Sequence, residues 1–379
     1  MEIKAGVACI LYLVCLESEL TFDTRYQLRA TNRTISCFIP RFLIRFHIKN
    51  MRTARTLSPG QPDRSCDIVA ESIIDEYLRR DAATSARIRV MGGRGALFVS
   101  GVISTKADFD VGAVITRTAA ALGVRGHVEP FVSIDAVPGS FLLEATRSNR
   151  PIGVVGYAAR ETEERLPSHV VLSRRIAKRL EDLRQHDADW YWLEPSFEVT
   201  VTEAADGSCE AFINCAHGEV EIAEVREHMR EALQTTFPEV KWRINEQGSV
   251  RSNGLDQDVG ASGIAEDPYG SAVPWSGSTA GIDPSNPAKF GAWLSRGLAK
   301  RALERGESKA VMVQAVYFPG DREPSFLRVR DERGSDLKCE GDAESMTYAS
   351  LIGHLRPGLS TNAAHWGFAG EVEMPWENK

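Results

Sequence analysis

Ser58-Pro59-Gly60-Gln61-Pro62-Asp63-Arg64 leads directly into the first amphipathic run of the chain. Pro59 and Gly60 are turn residues, and Pro62-Asp63 follows them. From Asp67 onward, Ile68, Val69, Ile73, Ile74, Tyr77 and Leu78 recur at helical spacing, which predicts a helix as far as Arg80. A rigid turn that feeds a helix N-terminus offers free backbone N–H groups to an anion. An aspartate beside them can hold a divalent cation. Taken alone, the string is a turn and cap signal that an ordinary Pro-Asp helix start also satisfies.

Outward from this stretch, the bulk properties set bounds. At 379 residues the chain can bury a large core and hold two or three structural units. Hydrophobic residues at 43% and charged residues at 26% are the proportions of a soluble globular protein. A net charge of -7 argues against a general nucleic-acid binder, which carries a basic surface. Seven cysteines (9, 15, 37, 66, 209, 215 and 339) show no CxxC spacing, so reduced thiols in a cytoplasmic compartment are expected. No run past the N-terminal region is apolar for long enough to span a membrane. Residues 1–50 differ in character from the rest. Val7 to Leu16 is a short apolar run followed by Glu17 and Glu19, without a small-residue cleavage site, and three of the cysteines lie here. The expectation is that Met51 is the true start and that residues 1–50 are a non-native extension, leaving 51–379 as the folded region.

Upstream of Ala204 the pattern is helix, strand pair, helix, strand. Strands are expected at Ala86 to Val90, Ala96 to Ser104 and Val128 to Ile134, with a helix from Phe109 to Leu122. Gly92-Gly93-Arg94-Gly95 could cradle a phosphate, but between two strands it is better read as a hairpin turn. Pro138 to Gly156 reads as a loop. A helix follows at Val170 to Arg184, then strands at Glu198 to Ala204 and Glu210 to Ala216, and a helix at Val225 to Thr236. Asn245 to Asn286 is rich in Gly, Ser and Asp, and a loop of that length is functional or disordered. A helix at Phe290 to Arg305, strands at Lys309 to Phe318 and Ser325 to Arg330, and a helix at Tyr348 to Leu355 complete the order. Strand pairs followed by helices, three times over, predict an α+β fold with helices on one face of mixed sheets.

The order of short motifs resembles that of the S-adenosylmethionine synthetase (methionine adenosyltransferase) family from about Thr56 to Glu377. Ser58 to Arg64 corresponds to the family's Ser-Glu-Gly-His-Pro-Asp-Lys, and Gly156-Tyr157-Ala158-Ala159-Arg160-Glu161-Thr162 to its Gly-Tyr-Ala-Thr-(Asn/Asp)-Glu-Thr. Trp192-Leu193-Glu194-Pro195, Asp267-Pro268-Tyr269-Gly270-Ser271, His354-Leu355-Arg356-Pro357 and Met374-Pro375-Trp376-Glu377 match four further family motifs in order. The resemblance implies three similar βαβ-type domains, interleaved along the chain in a pseudo-threefold arrangement. It also implies a dimer with the active site between subunits, and a reaction that joins methionine to ATP with water to give S-adenosylmethionine, phosphate and diphosphate.

Carried over residue by residue, the resemblance puts Asp63 at the family's magnesium ligand. Gln61 falls at its catalytic, nucleotide-contacting histidine, and Asp258 at an aspartate that contacts nucleotide and methionine. Ser249, beside Val250, replaces a nucleotide-site arginine. Arg89 stands where the family has the glutamate for a monovalent cation, so no such cation is expected. Val102 and Val137 replace methionine-binding Glu and Gln. Ile264, Ala265 and Ile282 replace cationic residues, the next family lysine aligns near Asn286, and Arg147 to Ile152 replaces a glycine-rich motif. Glutamine can donate a hydrogen bond but carries no charge. A triphosphate leaving group needs positive charge, and each positioned donor lost costs on the order of 10²–10³ in rate. Three outcomes follow. The chain is an enzyme of altered chemistry binding ATP, S-adenosylmethionine or a related nucleoside; or a non-catalytic subunit that pairs with an active homologue; or an unmodified synthetase with a rebuilt pocket, for which Arg64, Arg94, Arg150 and Arg251 are the spare cations.

Overall fold

The structure is a computed structural model that describes residues 29–30, 33–34, 51–124, 126–138, 151–251, 254–275, 277–338 and 341–378. The chain divides into two units, residues 1–47 and 48–379. In the first, β1 (Arg29–Ala30) pairs antiparallel with β2 (Arg33–Thr34). The expectation of a non-native extension falls, apart from these four residues, outside the described residues.

The second unit repeats one pattern with a permutation. Its first part runs β3 (Arg52–Leu57), α1 (Pro62–Arg80), β4 (Ser85–Gly93), β5 (Ala96–Ser104), α2 (Val111–Ala121) and β6 (Glu129–Ala136). Its second runs β7 (Ile152–Ala159), α3 (Ser168–His186), β8 (Leu193–Glu203), β9 (Cys209–His217), α4 (Ile222–Thr236) and β10 (Val240–Ile244). Its third runs β11 (Val259–Ala261), α5 (Pro287–Arg305), β12 (Ala310–Tyr317), β13 (Phe326–Asp331), α6 (Tyr348–Ile352) and α7 (Leu359–Trp366). In the first two parts an antiparallel hairpin is followed by a helix and a strand parallel to the second hairpin strand. The strand that precedes each leading helix leaves its own part. β3 pairs with β8, β7 with β12, and β11 with β4, all antiparallel. The sheets are therefore β10-β9-β8-β3, β11-β4-β5-β6 and β13-β12-β7, each completed by a strand from another part. This is the expected α+β architecture, with two mixed sheets and a third, β13-β12-β7, that is antiparallel throughout.

Each sheet buries one face against helices. α1 and α2 cover the β4–β5–β6 sheet through Ile73, Ile74, Val114 and Ile115, which are fully or nearly fully buried. Each such side chain contributes roughly 1.5–3 kcal/mol by leaving water. α3 and α4 cover the second sheet around Ile176, Leu180 and Met229, and α5 the third around Trp293 and Leu298.

The sequence pattern missed β3, β7, β10 and α7. β3 reads Arg-Thr-Ala-Arg-Thr-Leu, so it carries little hydrophobic signal. β7 lies at the end of the stretch read as a loop because it contains Gly153 and Gly156. A Cβ at Gly156 would come within 2.1 Å of the Ser295 backbone, so glycine there allows α5 to lie directly on the strand. The 245–286 segment is not a structureless loop. It contains β11 and buries Ala265, Tyr269, Ala280 and Ile282.

Candidate functional site

The turn before α1 is pinned from both sides. Ser58 donates its N–H to Phe197 O at 2.9 Å and its hydroxyl to Pro195 O at 2.7 Å. Gly60 lies so close to Pro195 that a Cβ would approach to 2.5 Å. The helix then starts at Pro62 rather than near Asp67, because proline is pre-shaped for the first helical position and Gln61 caps it. Gln61 Oε1 accepts from Asp63 N at 2.8 Å and Arg64 N at 3.2 Å, while Ser65 N goes to Gln61 O. The helix end expected to offer free N–H groups is thus capped by its own chain. Among the described donors of this helix end, the amide NH₂ of Gln61 remains to meet a ligand.

Asp63 and the strand after Asp258 meet at this helix end. Asp63 Oδ1 accepts Ala261 N at 3.0 Å, and a Cβ on Gly260 would strike Pro62 O at 2.3 Å. Asp258 is exposed at the start of β11 and accepts the N–H of Val259 at 2.8 Å. Ser249 is exposed. Val250 bridges Ala216, and its carbonyl accepts His217 N at 2.9 Å, which ties this pair to the end of β9.

Of the cations that would compensate for those replaced, Arg64 is turned inward, whereas Arg94 and Arg251 are exposed. Arg64 is buried and donates to Ala364 O at 3.1 Å and Ala265 O at 2.8 Å. Burial pushes its pKa down. Lys289, three residues past Asn286, is 1% exposed and pairs with Glu71 at 2.6 Å, with Ile282 O as its second acceptor. Asn286 itself caps α5 through Ala288 N. Arg94 lies in the β4–β5 hairpin turn with φ 54, so the Gly-rich turn is the hairpin read from sequence. Ile264 is 60% exposed, and Ala265 and Ile282 are buried. Arg150 lies outside the described residues, as do residues 147–149.

Beneath this end lies a feature that the apolar periodicity did not reveal. Asp63, Asp67, Glu71 and Asp75 recur every fourth residue along α1, and each accepts a backbone N–H from a distant segment. The donors are Ala261, Gly263, Gly281 and Thr361 respectively. Asp67 and Glu71 are at most 1% exposed. Burial pushes both carboxyls up to about 7, against the pull of Arg64 on Asp67 and of Lys289 on Glu71. The i, i+4 acids were a visible signal, but their partners are about 200 or more residues away in sequence.

Arg89, Val102 and Asp135 lie on the outward face of the β11-β4-β5-β6 sheet. Across adjacent strands the outward rows are Arg87–Val102–Asp135, Arg89–Ser100–Ser133 and Met91–Phe98–Phe131. Val137 follows β6 and donates its N–H to Ile103 O. Met91, Phe98 and Phe131 are 57%, 50% and 46% exposed, and the two phenyl rings stack at 4.9 Å.

For a magnesium ion, the residues present supply one carboxylate, Asp63, at a helix N-terminus. Among the described residues no group of three or more His, Cys, Asp or Glu is placed to hold a metal. Asp63 therefore fits the ion only as one ligand beside phosphate oxygens and water, the usual manner for Mg²⁺.

Comparison with known proteins fits this geometry. Residues 49–136 match the family described as S-adenosylmethionine synthetase, N-terminal domain. An S-adenosylmethionine synthase of Deinococcus deserti is 25% identical over 87% of this chain and 96% of its own length. One from Thermus thermophilus is 25% identical over 86% and 95%. An "unusual S-adenosylmethionine synthetase" from Campylobacter jejuni superposes with a TM-score of 0.76 at 19% identity, over 86% of this chain and 97% of that one. The permuted three-sheet architecture is thus an S-adenosylmethionine synthetase fold. The chain is a divergent member of the S-adenosylmethionine synthetase family.

Proposed function

We propose that the chain has lost or altered the family reaction, ATP + L-methionine + water to S-adenosylmethionine + phosphate + diphosphate, while keeping a place for an adenosine nucleotide or S-adenosylmethionine near Gln61, Asp63 and Asp258. The observation that carries this reading is the inward commitment of Arg64 and Lys289. With Ser249, Ile264, Ala265 and Ile282 at the replaced positions, neither Arg64 nor Lys289 returns charge to the triphosphate, whose stabilisation is usually the largest catalytic contribution. Val102 gives a methionine ammonium no partner. Asp63 would hold Mg²⁺ together with phosphate oxygens. The compartment proposed is the cytoplasm. Among the described residues no helix is long and apolar enough to cross a membrane.

One observation favours a second reading, a subunit that pairs with another copy or with an active homologue. The exposed Met91–Phe98–Phe131 row is flanked on the same face by Arg87 and Arg89 on β4 and by Asp135 on β6. A twofold-related copy would set basic strand over acidic strand and apolar row over apolar row, which suits an isologous interface.

The test is an assay of S-adenosylmethionine and phosphate formation with ATP, methionine and Mg²⁺. It is run on the purified chain alone and mixed with an active homologue, with calorimetry against ATP and S-adenosylmethionine. The expected result is no turnover alone and measurable binding of one ligand. Turnover by the chain alone at the homologue's rate would overturn the proposal.

A further inference from the structure

Three helices end at one cleft of about 320 Å³. α2 reaches it with Ala121, α3 with Gln185 in its last turn, and α7 with His365 and Trp366. Pro59, from the turn before α1, closes one side. The volume is that of a small-molecule site. Gln61, Asp63 and Asp258 do not line it, so it is separate from the place proposed for a nucleotide. A helix C-terminus carries roughly half a negative charge, and three such ends meet here.

The basic side chains of the wall do not offset this field, because acids hold them. Lys178 Nζ donates to both oxygens of Glu371, at 2.7 and 2.8 Å. Arg184 donates from Nε and Nη2 to Glu181 at 3.0 and 2.6 Å, and His186 Nδ1 stands 3.1 Å from Asp182 Oδ1. His365 differs from these three. Its Nδ1 lies 2.9 Å from Thr361 O, one turn back in α7, so Nδ1 carries the hydrogen and Nε2 keeps its lone pair. Burial, with the charge of Arg64, lowers the pKa of the ring and keeps it neutral. Nε2 has no partner among the described residues and is not sealed from solvent. Beside it the half-buried Trp366 presents an aromatic ring, and Lys178 Nζ lies 5.9 Å from its centroid, within cation–π range. The cleft thus combines a lone-pair acceptor, an aromatic wall and a negative field.

We propose that this cleft binds a primary aliphatic ammonium, whose N–H donates to His365 Nε2 while its charge faces the three helix ends and the Trp366 ring. An anion would face the same helix ends, so the field opposes it. This goes beyond the functional reading above. Its test reads amine binding with neither ATP nor methionine present, so either can fail without the other.

The experiment is isothermal titration calorimetry of the full chain with 1,4-diaminobutane at low salt, with inorganic phosphate as the anionic probe. The wild type is expected to bind a single diaminobutane and no phosphate. His365→Leu removes the acceptor and leaves α7 intact, since Nδ1 bonds only within its own helix, and should bind on the order of tenfold more weakly. Gln185→Lys adds a positive charge at the exposed end of α3 and should weaken binding by a similar factor. Ser335→Lys adds the same charge at an exposed position after β13, outside the cleft, and should stay within about twofold of the wild type. The proposal is overturned if the wild type does not bind diaminobutane, or if His365→Leu binds it as well as the wild type. It is overturned equally if the two lysine variants weaken binding alike, which would mean attraction to the net charge of the chain. Phosphate binding that Gln185→Lys strengthens would assign the cleft to anions instead. If one of the two cleft variants does not fold, the other decides.

Discussion

Replacing Lys289 with methionine removes the positive half of an ion pair whose members are 1% and 2% exposed and 2.6 Å apart. Methionine approximates the aliphatic stem, so the change is chiefly electrostatic. In the native fold burial holds the Glu71 carboxyl at about 7, although Lys289 pulls it down, against an ordinary value of 4.5. The sign follows from linkage. A carboxyl whose folded pKa lies above its unfolded value is penalised when ionised. Glu71 therefore weakens the fold progressively as pH rises from 4.5 through 7, and the rise from 4.5 to about 7 corresponds to about 3 kcal/mol. Without Lys289 the carboxyl moves higher still. At pH 8 the variant must hold an unpaired buried anion or take up a proton, at a cost of about 3–5 kcal/mol. For a chain of this size that is a fall in melting temperature of roughly 4–6 °C. At pH 5.5 the carboxyl is protonated, and the difference from wild type should shrink to less than half. Glu71→Gln combined with Lys289→Met should recover part of the loss at pH 8, because no charge is then buried. Differential scanning calorimetry at the two pH values measures each of these. A melting point within about 2 °C of wild type at pH 8, or a gap that does not narrow at pH 5.5, refutes the assignment of the pair as a structural strut.

Gln61→Ala removes the cap from Asp63 N and Arg64 N and should cost about 1 kcal/mol, read by urea denaturation; an unchanged midpoint would mean that the cap contributes nothing. Gly156→Ala puts a Cβ 2.1 Å from the Ser295 backbone and forces α5 off β7, so the variant should be recovered largely unfolded, checked by near-UV circular dichroism. Phe98→Asp breaks the exposed Met91–Phe98–Phe131 row without touching the core beneath it. Analytical ultracentrifugation should show wild type as a dimer and this variant as a monomer of unchanged secondary structure, and identical sedimentation would remove that face from consideration as an interface.

The motifs that match the family and those that depart from it occupy different places in the fold. Trp376 stacks on Trp293 at 4.2 Å and donates to Phe368 O, while Glu377 pairs with the buried Arg296 at 2.8 Å. Gly156 sets the spacing of α5, and Ser58 and Pro195 hold the turn before α1. These matched positions hold the fold together. At the departing positions, Arg89, Ile264 and Ser249 are exposed and Val102 is half-buried, whereas Ala265 and Ile282 are buried, so the change reaches both the surface a ligand or partner would meet and the layer beneath it. A fold can keep its core while its site changes, because packing and ligand chemistry rest on different side chains.

By itself the sequence determined the elements whose signal is local. α1, α3 and α5 follow from helical spacing, and the β4–β5 and β8–β9 hairpins from Gly-rich turns between alternating strands. Motif order added the family. The tertiary structure alone decided which sheet β3, β7 and β11 would join, because strand exchange depends on surfaces brought together only in the folded chain. It alone showed that Asp67 and Glu71 accept backbone donors from segments about 200 residues away, since periodicity marks a polar position without naming its partner. The opening stretch divides in the same way. Pro62 and Asp63 announced a helix start in the sequence. That Gln61 consumes the N–H groups which make such a start an anion site, and that Arg64 faces the core, depended on side-chain directions that only packing sets.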